Sequence, residues 1–124
     1  MNREGYLCDQ KTPLVSSHIL LDRRSLAYHA LIAERLSKLA NPLLRTRENI
    51  VRWRALVPPG RAEPYYLRVW EDILDKGLEA TIAFMTEDTE YACELRQSSP
   101  FAGYIDQPER FDWLKKWKEN NSSI

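Results

Sequence analysis

Residues 63–77 read Glu63-Pro64-Tyr65-Tyr66-Leu67-Arg68-Val69-Trp70-Glu71-Asp72-Ile73-Leu74-Asp75-Lys76-Gly77. Within them Tyr66, Val69, Trp70, Ile73 and Leu74 stand at i, i+3, i+4, i+7 and i+8, which gathers the side chains on one face of an α-helix. The helix opens at Glu63-Pro64, and Lys76-Gly77 reads as its C-terminal cap. Upstream, Pro58-Pro59-Gly60 ends a helix predicted over residues 42–56, whose apolar side is Leu43, Leu44, Ile50, Val51 and Trp53. Asn41-Pro42 separates that helix from an earlier one, predicted to start after Asp22 as N-cap. Leu26, Ala30, Ala33, Leu36 and Ala40 form its stripe, with Ile32 and Leu39 on a second side.

Downstream, Leu78, Ile82, Met85, Ala92 and Leu95 keep helical spacing. Residues 78–97 are one helix, or two broken near Thr86, whose hydroxyl would cap the second. Residues 98–103 form a loop. Asp106 caps a last helix, with Glu109 placed as in a capping box and Phe111, Leu114 and Trp117 as its buried stripe. In residues 1–20, Gly5, Thr12, Pro13, Ser16 and Ser17 break any period, so this segment reads as an extended arm. The expectation is an all-α compact bundle of five or six helices over residues 21–119, with the arm before it and a flexible tail over residues 120–124.

A chain of 124 residues fits one domain and buries enough surface to fold without a metal or disulfide. Eighteen basic and eighteen acidic residues balance, which argues against nonspecific coating of nucleic acid or an anionic membrane. The balance is uneven along the chain. Residues 21–61 carry nine basic groups against three acids, and residues 63–94 carry nine acids against two basic groups. Either basic and acidic helices pair internally, or each face meets a partner. Of the two cysteines, far apart in sequence, Cys93 reads as a small core residue and Cys8, in a polar N-terminal segment, as an exposed thiol, so a disulfide between them is not expected. With His18 and His29 at no ligand spacing, no metal site is expected, and nothing calls for a cofactor. No apolar run approaches the length of a membrane span or a signal peptide, and we expect a cytoplasmic protein.

Tests for chemistry mostly fail. The glycines are scattered, and no nucleophile elbow or His-Glu-x-x-His helix occurs. His29 reads as a hydrogen-bonded structural histidine before it reads as a base. Ser98 and Ser99 precede Pro100 with no base near them in sequence, and turn chemistry accounts for them. No catalytic residue is assigned. Trp113 falls at the edge of the last helix's stripe, where an aromatic reads first as a packed rim residue and second as an interface anchor.

Ser25-Leu26 with His29, Ile32-Ala33, Leu36, Asn49-Ile50, Arg52-Trp53, Trp70 and Ile73-Leu74 form an ordered string. It continues into Leu95-Arg96-Gln97-Ser98-Ser99-Pro100-Phe101-Ala102-Gly103 and Glu109-Arg110. Over residues 22–114 this resembles a group of small bacterial helical proteins that share the Leu-Arg-Gln-Ser-Ser-Pro-Phe loop. The resemblance implies an antitoxin-like partner of a cognate protein and carries over no catalytic or binding residue. The loop reads first as a plug, with Phe101 dropping into the core and Arg96 bonding loop carbonyls, and second as a recognition loop.

Three functions compete. The leading one is a non-catalytic protein-interaction module, antitoxin-like, using Trp113, Arg96 and Phe101 toward a cognate protein, with a homodimer through residues 107–119 as a further option. The alternative is a DNA-binding regulator using Arg45, Arg47, Arg52 and Arg54, whose guanidinium forks match phosphate oxygens. The third is a small enzyme built on His29 and an acidic helix.

Overall fold

Trp70 lies at the centre of the molecule with none of its surface exposed. Its indole N–H donates to the Leu95 carbonyl at 3.2 Å, so the one polar atom of the ring is satisfied inside the core. Phe84 and Phe101 meet the ring edge-on, with centroids at 5.4 and 5.2 Å. The computed structural model describes residues 17–121. The described residues form six helices: α1 (Ser17–Leu36), α2 (Leu44–Ala55), α3 (Tyr65–Asp75), α4 (Leu78–Met85), α5 (Glu90–Arg96) and α6 (Gln107–Asn121). No strand occurs among the described residues, so the chain is the expected all-α bundle with six helices. Residues 1–16 of the predicted arm and 122–124 of the predicted tail lie outside the described residues.

Helix α3 carries Trp70 and packs against α2 and α4, while α1 packs against α4 and α5. The core comprises Ile32, Ala33 and Leu36 of α1, Ile50 of α2, Trp70 and Leu74 of α3, Met85, Leu95, and Phe101 and Ile105 from the segment before α6. Gly77 separates α3 from α4 at φ +104°, a conformation that a side chain disfavours. That turn permits α4 to fold back, and Thr81 donates to the Gly77 carbonyl at 2.8 Å.

Several boundaries differ from expectation for local reasons. Helix α1 begins at Ser17, so residues 17–20 belong to it, and Asp22 is a buried residue inside the helix instead of its N-cap. Residues 78–97 split into two helices, but Thr86 does not start the second. Its hydroxyl donates back to Ile82 at 2.7 Å, and Thr89 caps α5 by accepting the Ala92 N–H at 3.2 Å. Asp106 does cap α6, accepting the Glu109 N–H at 2.9 Å. The Glu109 carboxylate turns away from the expected capping box and pairs with the Arg35 guanidinium through both oxygens.

Two predicted apolar faces are corrected. On α2 the buried residues are Thr46, Asn49 and Ile50, while Leu44 and Val51 are exposed. On α6 nothing is fully buried, and Phe111 is 63% exposed. Trp113 packs on Tyr28 of α1, ring centroids 5.1 Å apart, which sets the inner face of α6. Phe111 lies two residues away, about 200° round the helix, and therefore faces outward. Cys93 is buried as expected, but it is disulfide-bonded, its partner lying outside the described residues.

Candidate functional site

Residues 97–106 join α5 to α6, and side chains of α1, α2 and α3 hold them. From α2, the Asn49 side-chain amide donates to the carbonyls of Pro100 and Ala102 at 2.9 and 3.0 Å. The Tyr104 hydroxyl donates to the Pro42 carbonyl at 2.8 Å and accepts the Thr46 N–H at 3.0 Å. These bonds explain why α2 buries polar residues: Asn49 supplies donors for the loop's carbonyls, and Thr46 supplies a partner for the Tyr104 hydroxyl. From α3, Trp70 covers Phe101. Arg45 lies over Gly103, where a Cβ would fall 2.8 Å from its guanidinium.

Arg96 ends α5 just before the loop and is 3% exposed. It donates to the carbonyls of Met85 and Glu87, at 3.2 and 2.7 Å, in the connection between α4 and α5 and not in its own loop. Burial disfavours its charge and lowers its pKa, and the fields of Asp88, Asp22 and Glu87 offset only part of that cost. Phe101 is also 3% exposed. Neither side chain is therefore available as a contact surface, which corrects their assignment to partner binding: both hold the interior together.

The structure also brings together two residues that the sequence leaves apart. His29, 6% exposed on α1, reaches Ser99 across seventy residues of chain. Its Nδ1 lies 2.7 Å from the Ser25 carbonyl, which can only accept, so Nδ1 carries the proton. Nε2 is then the acceptor for the Ser99 hydroxyl at 2.7 Å. The imidazole beside Ser99 comes from seventy residues away, so no base stands near it in sequence, as expected, although one stands near it in space. The pair borders a cleft of about 520 Å³ that is also lined by Tyr28, Ile32, Asp106 and Arg110.

A serine hydroxyl bonded to a neutral imidazole has the connectivity of a nucleophile and its base. The environment works against that use. Burial, followed by the Arg96 charge, holds the His29 pKa down to about 4, and its outer nitrogen faces a carbonyl instead of a carboxylate. An imidazolium formed by proton abstraction would be poorly stabilised there. The arrangement instead fastens the loop to α1. The missed signal was spacing: Ile19, Asp22, Leu26, His29, Ala33 and Leu36 recur at alternating steps of three and four, placing two polar residues on the inward stripe.

The four arginines proposed for DNA are distributed differently from a phosphate-reading row. Arg54 forks between Glu63 (2.7 and 3.1 Å) and Glu71 (3.0 and 3.2 Å), and Arg47 pairs with Asp75 at 3.0 Å. Arg52 bonds the Asn49 side-chain oxygen, and Arg45 covers Gly103. Two of the four thus pair basic α2 with the acidic segment around α3.

An apolar groove lies elsewhere on the surface. Leu20 and Leu21 of α1 and Leu114 and Trp117 of α6 line a groove of about 550 Å³. Leu21 is 49% exposed, and the other three are half-buried. Arg24, Lys115 and Lys118 form the rest of the lining. These three cations make no ion pair among the described residues, whereas neighbouring Lys116 pairs with Asp112 at 3.2 Å. Trp113, the predicted anchor, lies inward of this groove against Tyr28.

Among the described residues no cluster of potential metal ligands occurs, and no helix is long and apolar enough to cross a membrane. Comparison of the chain with protein-family models, curated proteins and solved structures finds no match.

Proposed function

We propose that this chain is a non-catalytic protein-interaction module that engages a cognate protein through the groove between α6 and the start of α1. One observation carries the reading: α6 fully buries none of its residues, yet it presents Leu114 and Trp117 in one groove with Leu20 and the exposed Leu21. Apolar surface on an otherwise well-paired helical domain has a large free-energy incentive to be covered. The role as an antitoxin-like neutraliser is the finer form of the proposal, and the loop resemblance motivates it.

The DNA-binding alternative draws less support, because Arg47 and Arg54 already face carboxylates. A small enzyme draws less still, because the Ser99–His29 pair sits where a protonated imidazole is disfavoured. The test is affinity capture with the full chain and with a Leu114→Asp, Trp117→Asp variant of matched thermal stability. One stoichiometric protein retained by the first and lost by the second is the expected result. Equal capture by both, or no protein partner for either, overturns the reading.

A further inference from the structure

We propose that the α1–α6 groove takes an acidic amphipathic helix, an inference that rests on the interaction-module reading and names the chemistry of the partner. The floor is apolar: Leu20, Leu21, Leu114 and Trp117 offer branched and aromatic surface of the kind that receives a helix's i, i+3, i+4 and i+7 side chains. The rim has one sign of charge. Arg24, Lys115 and Lys118 border the groove, none is paired among the described residues, and no acidic residue contributes to its lining. This contrasts with α2, where basic side chains of the same helix already meet carboxylates.

An apolar floor between cations selects a ligand with an apolar ridge flanked by carboxylates. The floor would supply the burial, and the rim would supply register, orientation and rejection of basic competitors. Two occupants from this chain fit less well. Residues 1–16 carry two acids and two basic groups, so they lack the complementary charge. A second copy offers the acidic α3, but its Leu67, Trp70 and Leu74 are already buried in the core, leaving carboxylates without a matching ridge.

The test uses the full chain and a fluorescent synthetic helical peptide with leucines along one stripe and glutamates on both flanks. A peptide with lysines in place of the glutamates and a scrambled glutamate peptide serve as comparators. Anisotropy should show the glutamate peptide binding about tenfold or more tighter than the lysine peptide, a preference that weakens as salt screens the rim. Leu114→Asp should abolish binding. The exposed double substitution Lys115→Glu, Lys118→Glu, which leaves the floor intact, should reverse the preference between the two peptides. Thermal melts identify any variant that has failed to fold.

Indifference to peptide charge overturns the inference, as does binding of neither peptide. Two further outcomes reassign the groove: stronger binding to phosphatidylserine vesicles than to the peptide marks a membrane surface, and self-association lost in Leu114→Asp marks a second copy. Failure of the two readings is separable. A captured protein that needs Leu114 and Trp117 but tolerates the charge reversal retires the acidic helix and leaves the module. Peptide selectivity with no captured protein does the reverse.

Discussion

Acidification should weaken this fold through His29, by an amount that can be worked from its surroundings. In the folded chain the imidazole is 6% exposed, donates to the Ser25 carbonyl and accepts from Ser99. Protonation would put a charge in the interior and leave Nε2 with a proton facing the hydroxyl that had been donating to it. Burial accordingly lowers the pKa from 6.5 to about 4. Unfolded, the same residue takes up its proton near the ordinary value of about 6.5. Between these limits the unfolded chain binds more protons, so stability rises with pH. The contribution is complete above 6.5, is lost progressively as pH falls toward 4, and falls no further below that. The displacement corresponds to about 3 kcal/mol, a substantial part of the roughly 5–15 kcal/mol that holds a domain of this size together.

Urea unfolding at pH 7.5, 6, 5 and 4 measures this loss. Carboxylates also titrate at the acid end, so the informative quantity is the difference between the wild-type chain and His29→Gln. A glutamine amide can donate to the Ser25 carbonyl and accept from Ser99 without titrating. We expect the wild type to lose about 2–3 kcal/mol more than His29→Gln between pH 7.5 and 4. Parallel profiles, differing by less than about 0.5 kcal/mol across the range, would refute the reasoning that His29 is held neutral by burial.

The other predictions concern the loop and its supports. Phe101→Ala should cost about 3–5 kcal/mol in urea denaturation, whereas Phe111→Ala should stay within about 0.5 kcal/mol; the reverse order would restore the amphipathic reading of α6. Ser99→Ala removes the hydroxyl that donates to a buried nitrogen and should lower stability by about 1–3 kcal/mol at pH 7.5, with no loss of helix content by circular dichroism. Gly103→Ala must place a side chain at φ +96° against Arg45, and a cost of about 1–3 kcal/mol is expected. Arg54→Ala separates α2 from Glu63 and Glu71, but all three side chains are about one-third exposed, so the loss should stay near or below about 1 kcal/mol and shrink in high salt.

The sequence by itself determined the helices and their punctuation. The stripe through Tyr66, Trp70 and Leu74, the break at Pro58-Pro59-Gly60, the turn at Gly77 and the cap at Asp106 are all local effects. Periodicity, missing backbone donors, permitted φ and side-chain capping act within a few residues. The same locality explains the errors. A stripe of apolar letters identifies a face of α6 but not whether another element covers it, so Phe111 reads as buried and proves exposed. On α1 and α2 the core-facing positions include Asp22, His29, Thr46 and Asn49, which apolarity alone passes over.

Those polar residues are buried because groups distant in the chain satisfy or offset them: Ser99 for His29, Tyr104 for Thr46, the Pro100 and Ala102 carbonyls for Asn49, and the charge of Arg96 for Asp22. The candidate groove was equally hidden, since Leu20 and Leu114 become neighbours only when α6 returns to the start of α1. Short-range physics thus determined which segments are helices. Only the tertiary structure decided which faces are wet, because the burial of a polar group depends on a partner that can stand seventy residues away.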